Sequence, residues 1–159
     1  MSRRKTAKKR IITHDPVYNS TLVSMIINRI LLKGKKALPK KIFYEAMTNI
    51  EKFSKKDPLE VLNKAVINAT PLLEVRSRRV GGAIYQVPRE VKPERGNSLA
   101  LRLIIKAARE RPGRGMVKKL GNELIDAYNY TGSAVKKKED MHRMAQANKA
   151  FSNLRRKKK

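Results

Sequence analysis

Val75-Arg76-Ser77-Arg78-Arg79-Val80-Gly81-Gly82-Ala83-Ile84-Tyr85-Gln86-Val87-Pro88 reads as β structure inside a chain that otherwise reads as helices. Gly81-Gly82 allows the positive φ angles of a two-residue hairpin turn. Val75, Val80, Ile84, Tyr85 and Val87 supply β-branched and aromatic residues on both sides of it. Side chains alternate along a strand, so Arg76 and Arg78 share one face and Arg79 lies on the other. A guanidinium forks onto phosphate oxygens and stacks on bases, which makes this hairpin a basic finger. A structural ribbon with solvated arginines fits the same residues, since two-stranded ribbons are marginally stable without support.

Outward from the hairpin the hydrophobic period becomes helical. Leu22, Ile26 and Ile30 recur at i, i+4 and i+8, with Val23, Ile27 and Leu31 widening the stripe. This predicts a helix from Ser20, ended by Gly34 as a C-cap. A second helix is expected from about Leu38 to Phe53, with Ile42, Ala46, Ile50 and Phe53 on one side and Phe43 and Met47 beside them. Pro39 suits its first turn, where a missing N–H is no loss. Asp57-Pro58 signals a third start, with Leu59, Leu62, Val66 and Ala69 as its face and Pro71 closing it.

Beyond the hairpin, Pro88, Pro93 and Gly96 read as a linker, and Asn97 or Ser98 as the cap of a helix carrying Leu99, Leu103, Ile104 and Ala107. Arg111-Pro112-Gly113-Arg114-Gly115 breaks that helix. Met116, Leu120, Leu124 and Tyr128 mark the next, ended near Thr131-Gly132, and a last helix is expected from Ser133 to about Leu154. No repeat of 20 to 50 residues is visible, which argues against a solenoid. The expected architecture is mostly α: a bundle of about six helices with a protruding two-stranded β-hairpin at about 74–89. It forms a single domain over 15–154, between a flexible basic arm at 1–14 and a basic tail at 155–159. The arm lacks an apolar period with which to offset its ordering entropy, so it is expected to be mobile until bound.

Charge decides the class of partner. Thirty-nine Lys and Arg against thirteen Asp and Glu leave a formal +26 on 159 residues, which repels itself unless a polyanion is near. The apolar runs Met25-Ile26-Ile27 and Ile30-Leu31-Leu32 are interrupted by Asn28, Arg29 and Lys33, so no span of about eighteen apolar residues exists to cross a bilayer. Met1 to Arg10 has no apolar core after it and reads as an arm, not an export signal. The absence of cysteine excludes disulfides and thiolate metal sites. The length suits one domain that withdraws roughly 70% of the unfolded chain's surface from water. With five Tyr, three Phe and no Trp, aliphatic and Met side chains must fill most of it.

Sites for chemistry are weakly signalled. Gly34-Lys35-Lys36 lacks the upstream glycine and the following Ser or Thr of a phosphate loop. Lys35 and Lys36 more simply follow a helix C-terminus, where positive charge is favourable. Glu139 and His142 have metal-helix spacing but no further ligands, so a capping, salt-linked or packed histidine is expected. Glu123 and Asp126 share a face, yet a nuclease needs a convergent carboxylate cluster. No cofactor, metal or enzymatic activity is expected.

The basic clusters carry more weight because they recur on every element: the arm, Arg29 to Lys36, Arg76 to Arg79, Arg109 to Lys119, Lys136 to Lys138, and Arg155 to Lys159. They cover too many elements for one groove-reading helix and point to a body embedded in folded RNA. Tyr85, Tyr128 and Tyr130 are candidates for base stacking, with Tyr128 read as core. Two other readings stand beside this one: a DNA-packaging or architectural protein, which would bind duplex DNA as well as folded RNA, and an RNA-processing enzyme dependent on Glu123 or Asp126.

Three ordered motifs add a resemblance that covers nearly the whole chain. They are Ser20-x-Leu22 with Ile26-Ile27, Gly34-Lys35-Lys36, Ile42-Phe43 and Ala46; Arg78-Arg79-Val80-Gly81-Gly82-Ala83 with Tyr85-Gln86-Val87-Pro88; and Lys136-Lys137-Lys138-Glu139, His142, Met144-Ala145 and Ala147-Asn148-Lys149-Ala150-Phe151. In these the chain resembles the small-subunit ribosomal protein seven family, bacterial or plastid type. The resemblance implies a structural constituent of the small ribosomal subunit, located in the ribosome of a bacterial cytoplasm or plastid stroma. It implies a primary binder of the 3′ major domain of small-subunit rRNA that nucleates assembly of the head. Arg3, Arg4, Lys8, Arg10, Lys35, Lys36, Arg76, Arg78, Arg79, Arg114 and Met116 are then rRNA-binding candidates. Gly81, Gly82, Ala83 and Tyr85 are candidates facing exit-site tRNA and mRNA, with the last helix beside them. The implied partners are rRNA, that tRNA and mRNA, and neighbouring proteins of the head and platform, with one copy in each ribosome. The extra-basic C-terminus after Phe151 departs from the family pattern.

Overall fold

The computed structural model describes residues 10 to 154, so Arg3, Arg4 and Lys8 of the arm and the tail from 155 lie outside the described residues. Six α-helices and one hairpin follow in the order α1 (Thr21–Ile30), α2 (Ala37–Ser54), α3 (Pro58–Ala69), β1 (Leu73–Val80), β2 (Ala83–Glu90), α4 (Pro93–Glu110), α5 (Met116–Tyr128) and α6 (Ser133–Ala147). A 3-10 helix, Lys149–Leu154, comes last. The expected mostly α bundle with a protruding hairpin is therefore present.

Apolar stripes from the first five helices and the start of α6 converge on one core. Ile26 of α1, Phe43, Met47 and Ile50 of α2, Leu62 of α3, Leu101 and Ile104 of α4, and Leu120 and Leu124 of α5 are fully buried. Each contributes on the order of 1.5–3 kcal/mol by leaving water. The α5 helix lies at the centre, packed on α2, α3 and α4. Every buried side-chain nitrogen or oxygen among the described residues has a hydrogen-bond partner.

Local chemistry sets several boundaries as the sequence implies. Asp57 caps α3 by accepting from the Leu59 N–H at 3.1 Å, with Pro58 at the first helical position. The hairpin pairs Val80 with Ala83 and Leu73 with Glu90, and Gly81 (φ 56°) and Gly82 (φ 91°) form its two-residue turn.

Other boundaries differ from expectation. The α1 helix ends at Ile30, and Gly34 (φ 76°) serves the following turn with Lys33 (φ 51°) instead of capping the helix. Phe53 is 79% exposed, because the buried stripe Phe43, Ala46, Met47, Ile50 continues at i+4 to Ser54, whose hydroxyl donates to the Ile50 carbonyl at 2.7 Å. Pro93 starts α4 and does not belong to a linker, since its fixed φ is already helical. Gly96 sits inside that helix because a Cβ there would come within 2.9 Å of Thr70 Cγ2. The buried face of α4 is Ala100, Leu101, Ile104, Ile105, Ala107 and Ala108, while Leu99 and Leu103 are half-buried. The α5 helix stops at Tyr128, short of Thr131. The last helix stops at Ala147, where the Asn148 side-chain amide donates to the Met144 carbonyl at 2.8 Å and the chain tightens.

Candidate nucleic-acid interface

Arg102, Lys106 and Arg109 recur at i, i+4 and i+7, so they project from one face of α4. Arg29, in the last turn of α1, meets that face. With Ile105 and Glu110 these four cations line a groove of about 400 Å³. Arg109 joins the two helices by donating from Nη2 to the free Ile30 carbonyl at 3.4 Å. The one acid at the rim, Glu110, is bound to Lys137 of α6, and that ammonium draws its carboxyl below the usual range. Among the described residues, Arg29 and Arg102 make no ion pair, while Lys106 also acts on the Glu110 carboxylate through its charge. Burial, and then the like charge of Arg102, lowers the pKa of Arg29. A fold that brings unpaired cations together against their own repulsion is built to meet a polyanion.

Two further basic segments follow in the chain the helices that line this groove. Lys35 and Lys36 are exposed on the turn that follows α1, and Arg114 is exposed on the loop that follows α4. That loop is fastened from below. Glu123, fully buried, accepts from Arg111 Nε at 2.5 Å and from the Ala134 N–H at 2.8 Å, and Asp126 takes the other arm of the Arg111 guanidinium. Burial disfavours the Arg111 cation, but these carboxylates outweigh it and raise its pKa. Glu123 and Asp126 are thus structural. Met116 packs partly against the core at the start of α5 and is not a freely offered side chain.

The arm enters the fold at a similar fastening. Buried Asp15 accepts from the Val17 and Tyr18 N–H groups at 3.1 and 3.2 Å and from the Tyr44 hydroxyl at 2.7 Å. Burial, then the bond to Asp15, pushes the Tyr44 pKa up to about 12. Arg10 is exposed in the irregular chain that precedes this anchor.

At the hairpin the three arginines are not equivalent. Arg76 Nε donates to Glu74 at 2.6 Å, and Arg95 of α4 donates to the other oxygen of the same buried carboxylate at 2.8 Å. Burial alone would raise the Glu74 pKa, but the bonds from Arg95 and Arg76 prevail and lower it. Arg76 therefore clamps the hairpin root, Arg78 is half-buried beside Tyr85, and Arg79 is exposed. Gly81, Gly82 and Ala83 are exposed at the tip. Tyr85 is half-buried, its ring 5.3 Å from that of Phe151.

The Lys136 to Lys138 run also divides. Lys138 is buried and donates to the Asn68 carbonyl and the Tyr130 hydroxyl, both at 2.7 Å, Lys137 holds Glu110, and Lys136 is exposed. His142 packs as expected, its Nε2 accepting from the Leu72 N–H at 2.9 Å. Tyr128, half-buried, lies under the ammonium groups of Lys56 and Lys64, each 4.5 Å from its ring.

Residues 2–149 match the family model described as ribosomal protein S7p/S5e. The chain belongs to that family. It is 64% identical over 155 residues to the small ribosomal subunit protein uS7c of Euglena gracilis, covering 98% of this chain and 99% of the relative. It is 59% identical, with the same coverage, to the uS7 proteins of Acaryochloris marina and Dictyoglomus turgidum. As an S7p/S5e member it is a ribosomal protein of the small subunit, and not an enzyme.

Within this S7p/S5e chain, sequence reasoning missed Arg102 and Lys106. They lie outside the dense basic clusters, and only their i, i+4, i+7 register with Arg109 on a helix marks them. Arg29 and Arg109 stand out in the sequence as cluster members, but their meeting across 80 residues of chain does not.

Proposed function

We propose that this small-subunit protein is a primary binder of the 3′ major domain of small-subunit rRNA and nucleates assembly of the head. The groove between α1 and α4 supports this reading, because it gathers four cations, of which Arg29 and Arg102 make no ion pair among the described residues, and the exposed Lys35, Lys36 and Arg114 follow its two helices in the chain. Charge draws the protein to RNA, and the fit of a rigid helical body to a preformed junction selects the site. The arm at 1–14 and the tail at 155–159 extend the contact from a single domain at 15–154. In this reading Gly81, Gly82, Ala83 and Tyr85, with the last helix, face exit-site tRNA and mRNA, and neighbouring head and platform proteins pack around one copy of the chain.

The test is competition at near-physiological salt between a head-domain rRNA fragment, random duplex DNA and scrambled RNA. A preference for the fragment of at least about a thousandfold supports the proposal. Equal affinity for all three refutes it in favour of a charge-driven architectural protein.

A further inference from the structure

A two-stranded ribbon has no third strand to stiffen it, so what it packs against determines where its tip points. At the root, Val87 is buried, Glu74 is clamped by Arg76 and Arg95, and the Leu72 N–H is held by His142. Beyond Val87 the next residue on the same face of β2 is Tyr85. It meets the body through one aromatic contact, with Phe151 of the C-terminal 3-10 helix, at a 5.3 Å centroid distance and a 49° interplanar angle. That helix packs mainly on β2 and only slightly on α6, from which it emerges. Phe151 remains 38% exposed, so its ring contributes little to the core.

We propose that Phe151 is a positioning residue: it straps the outer half of the hairpin through Tyr85 and thereby sets the reach and direction of the tip. Without it the last fixed point is Val87, five residues or about 16 Å from Gly82; with it the last fixed point is Tyr85, three residues or about 10 Å away. The mean-square excursion of an elastic ribbon grows as the cube of its free length, so the strap narrows the mean-square excursion of the tip about fivefold, or its amplitude about twofold. The strap also covers one side of Tyr85, while Arg79, Val80, Ile84 and the Gly81-Gly82-Ala83 tip stay exposed. The inference rests on the proposed function only for what the tip touches, and the test needs no RNA.

The chain has no cysteine, so nitroxides attached through Ala83→Cys at the tip and Asn63→Cys on α3 are its sole labels. Double electron–electron resonance on the whole protein should give a narrow distance distribution. Phe151→Ala should widen the part of its variance that exceeds the labels' own spread about fivefold with the melting temperature nearly unchanged, and Phe151→Tyr should keep it narrow. Adding Tyr85→Ala to Phe151→Ala should widen it no further, because the two rings form one contact. If Phe151→Ala fails to fold, Phe151→Leu serves, with an intermediate width expected. A folded Phe151→Ala or Phe151→Leu protein whose distribution matches the wild type overturns the proposal, as does full additivity with Tyr85→Ala. Failure here leaves the rRNA competition result untouched.

Discussion

Arg102→Ala with Lys106→Ala is the perturbation that best separates a built polyanion groove from an ordinary solvated helix face. Neither side chain makes an ion pair among the described residues, Lys106 reaches Glu110 only through its charge, and Arg102 opposes the charge of Arg29. Removing both should leave folding stability within about 0.5 kcal/mol of wild type. RNA binding should respond quite differently. Each phosphate that the protein no longer neutralises reduces the log–log salt slope by about 0.7–0.9, so the pair should flatten it by about 1.4–1.8. Between 50 and 200 mM salt, the wild-type affinity for the head-domain fragment should then fall about tenfold more than that of the variant. Fluorescence anisotropy across a salt series, paired with urea unfolding, reads both quantities on the same samples. An unchanged slope would refute the groove as a phosphate site. A flattened slope with a drop of several kcal/mol in stability would make these residues structural.

Three further outcomes follow from the local geometry. Glu123→Ala leaves the Arg111 guanidinium and the Ala134 N–H short of a buried acceptor, and should cost about 3–5 kcal/mol with a drop in melting temperature on the order of 10 °C; a calorimetric change under about 1 kcal/mol contradicts that account. His142 has a pKa lowered below 6.5, first by burial and then by Lys138, with Glu139 opposing. Its stabilising contribution is therefore present above 6.5 and is lost as pH falls through the lower folded value, since protonation removes the Nε2 acceptor for Leu72. Exchange of the Leu72 amide, corrected for intrinsic rate, should accelerate over that interval in wild type and stay flat in His142→Gln. Finally, Gly82→Val places a β-branched residue at φ 91°. Disappearance of the Val80–Ala83 pairing from NMR spectra is expected while the helical core is retained, and an unaltered hairpin would show the turn geometry to be wrong.

Much of the fold is legible in the sequence because its signals are local. A Gly-Gly pair between β-branched runs can hardly be other than a hairpin, and Asp57-Pro58 marks a helix start by chemistry that operates within two residues. The expectations that failed concern packing. Pro93 and Gly96 look like a linker until Thr70 is brought against Gly96, and Phe53 looks buried until the stripe on α2 turns toward Ser54. The charged groups behave in the same way. Composition alone shows that the partner is a polyanion, since +26 is a property of the chain and not of its conformation. Which cations remain open to that partner is decided only in three dimensions. Arg76, Lys137, Lys138 and Arg111 find acceptors inside the fold, while Arg29 and Arg102 are held together without one among the described residues. A side chain's periodicity is written in its neighbours along the chain, whereas its ion-pair or hydrogen-bond partner lies up to 79 residues away and appears only when the helices have packed.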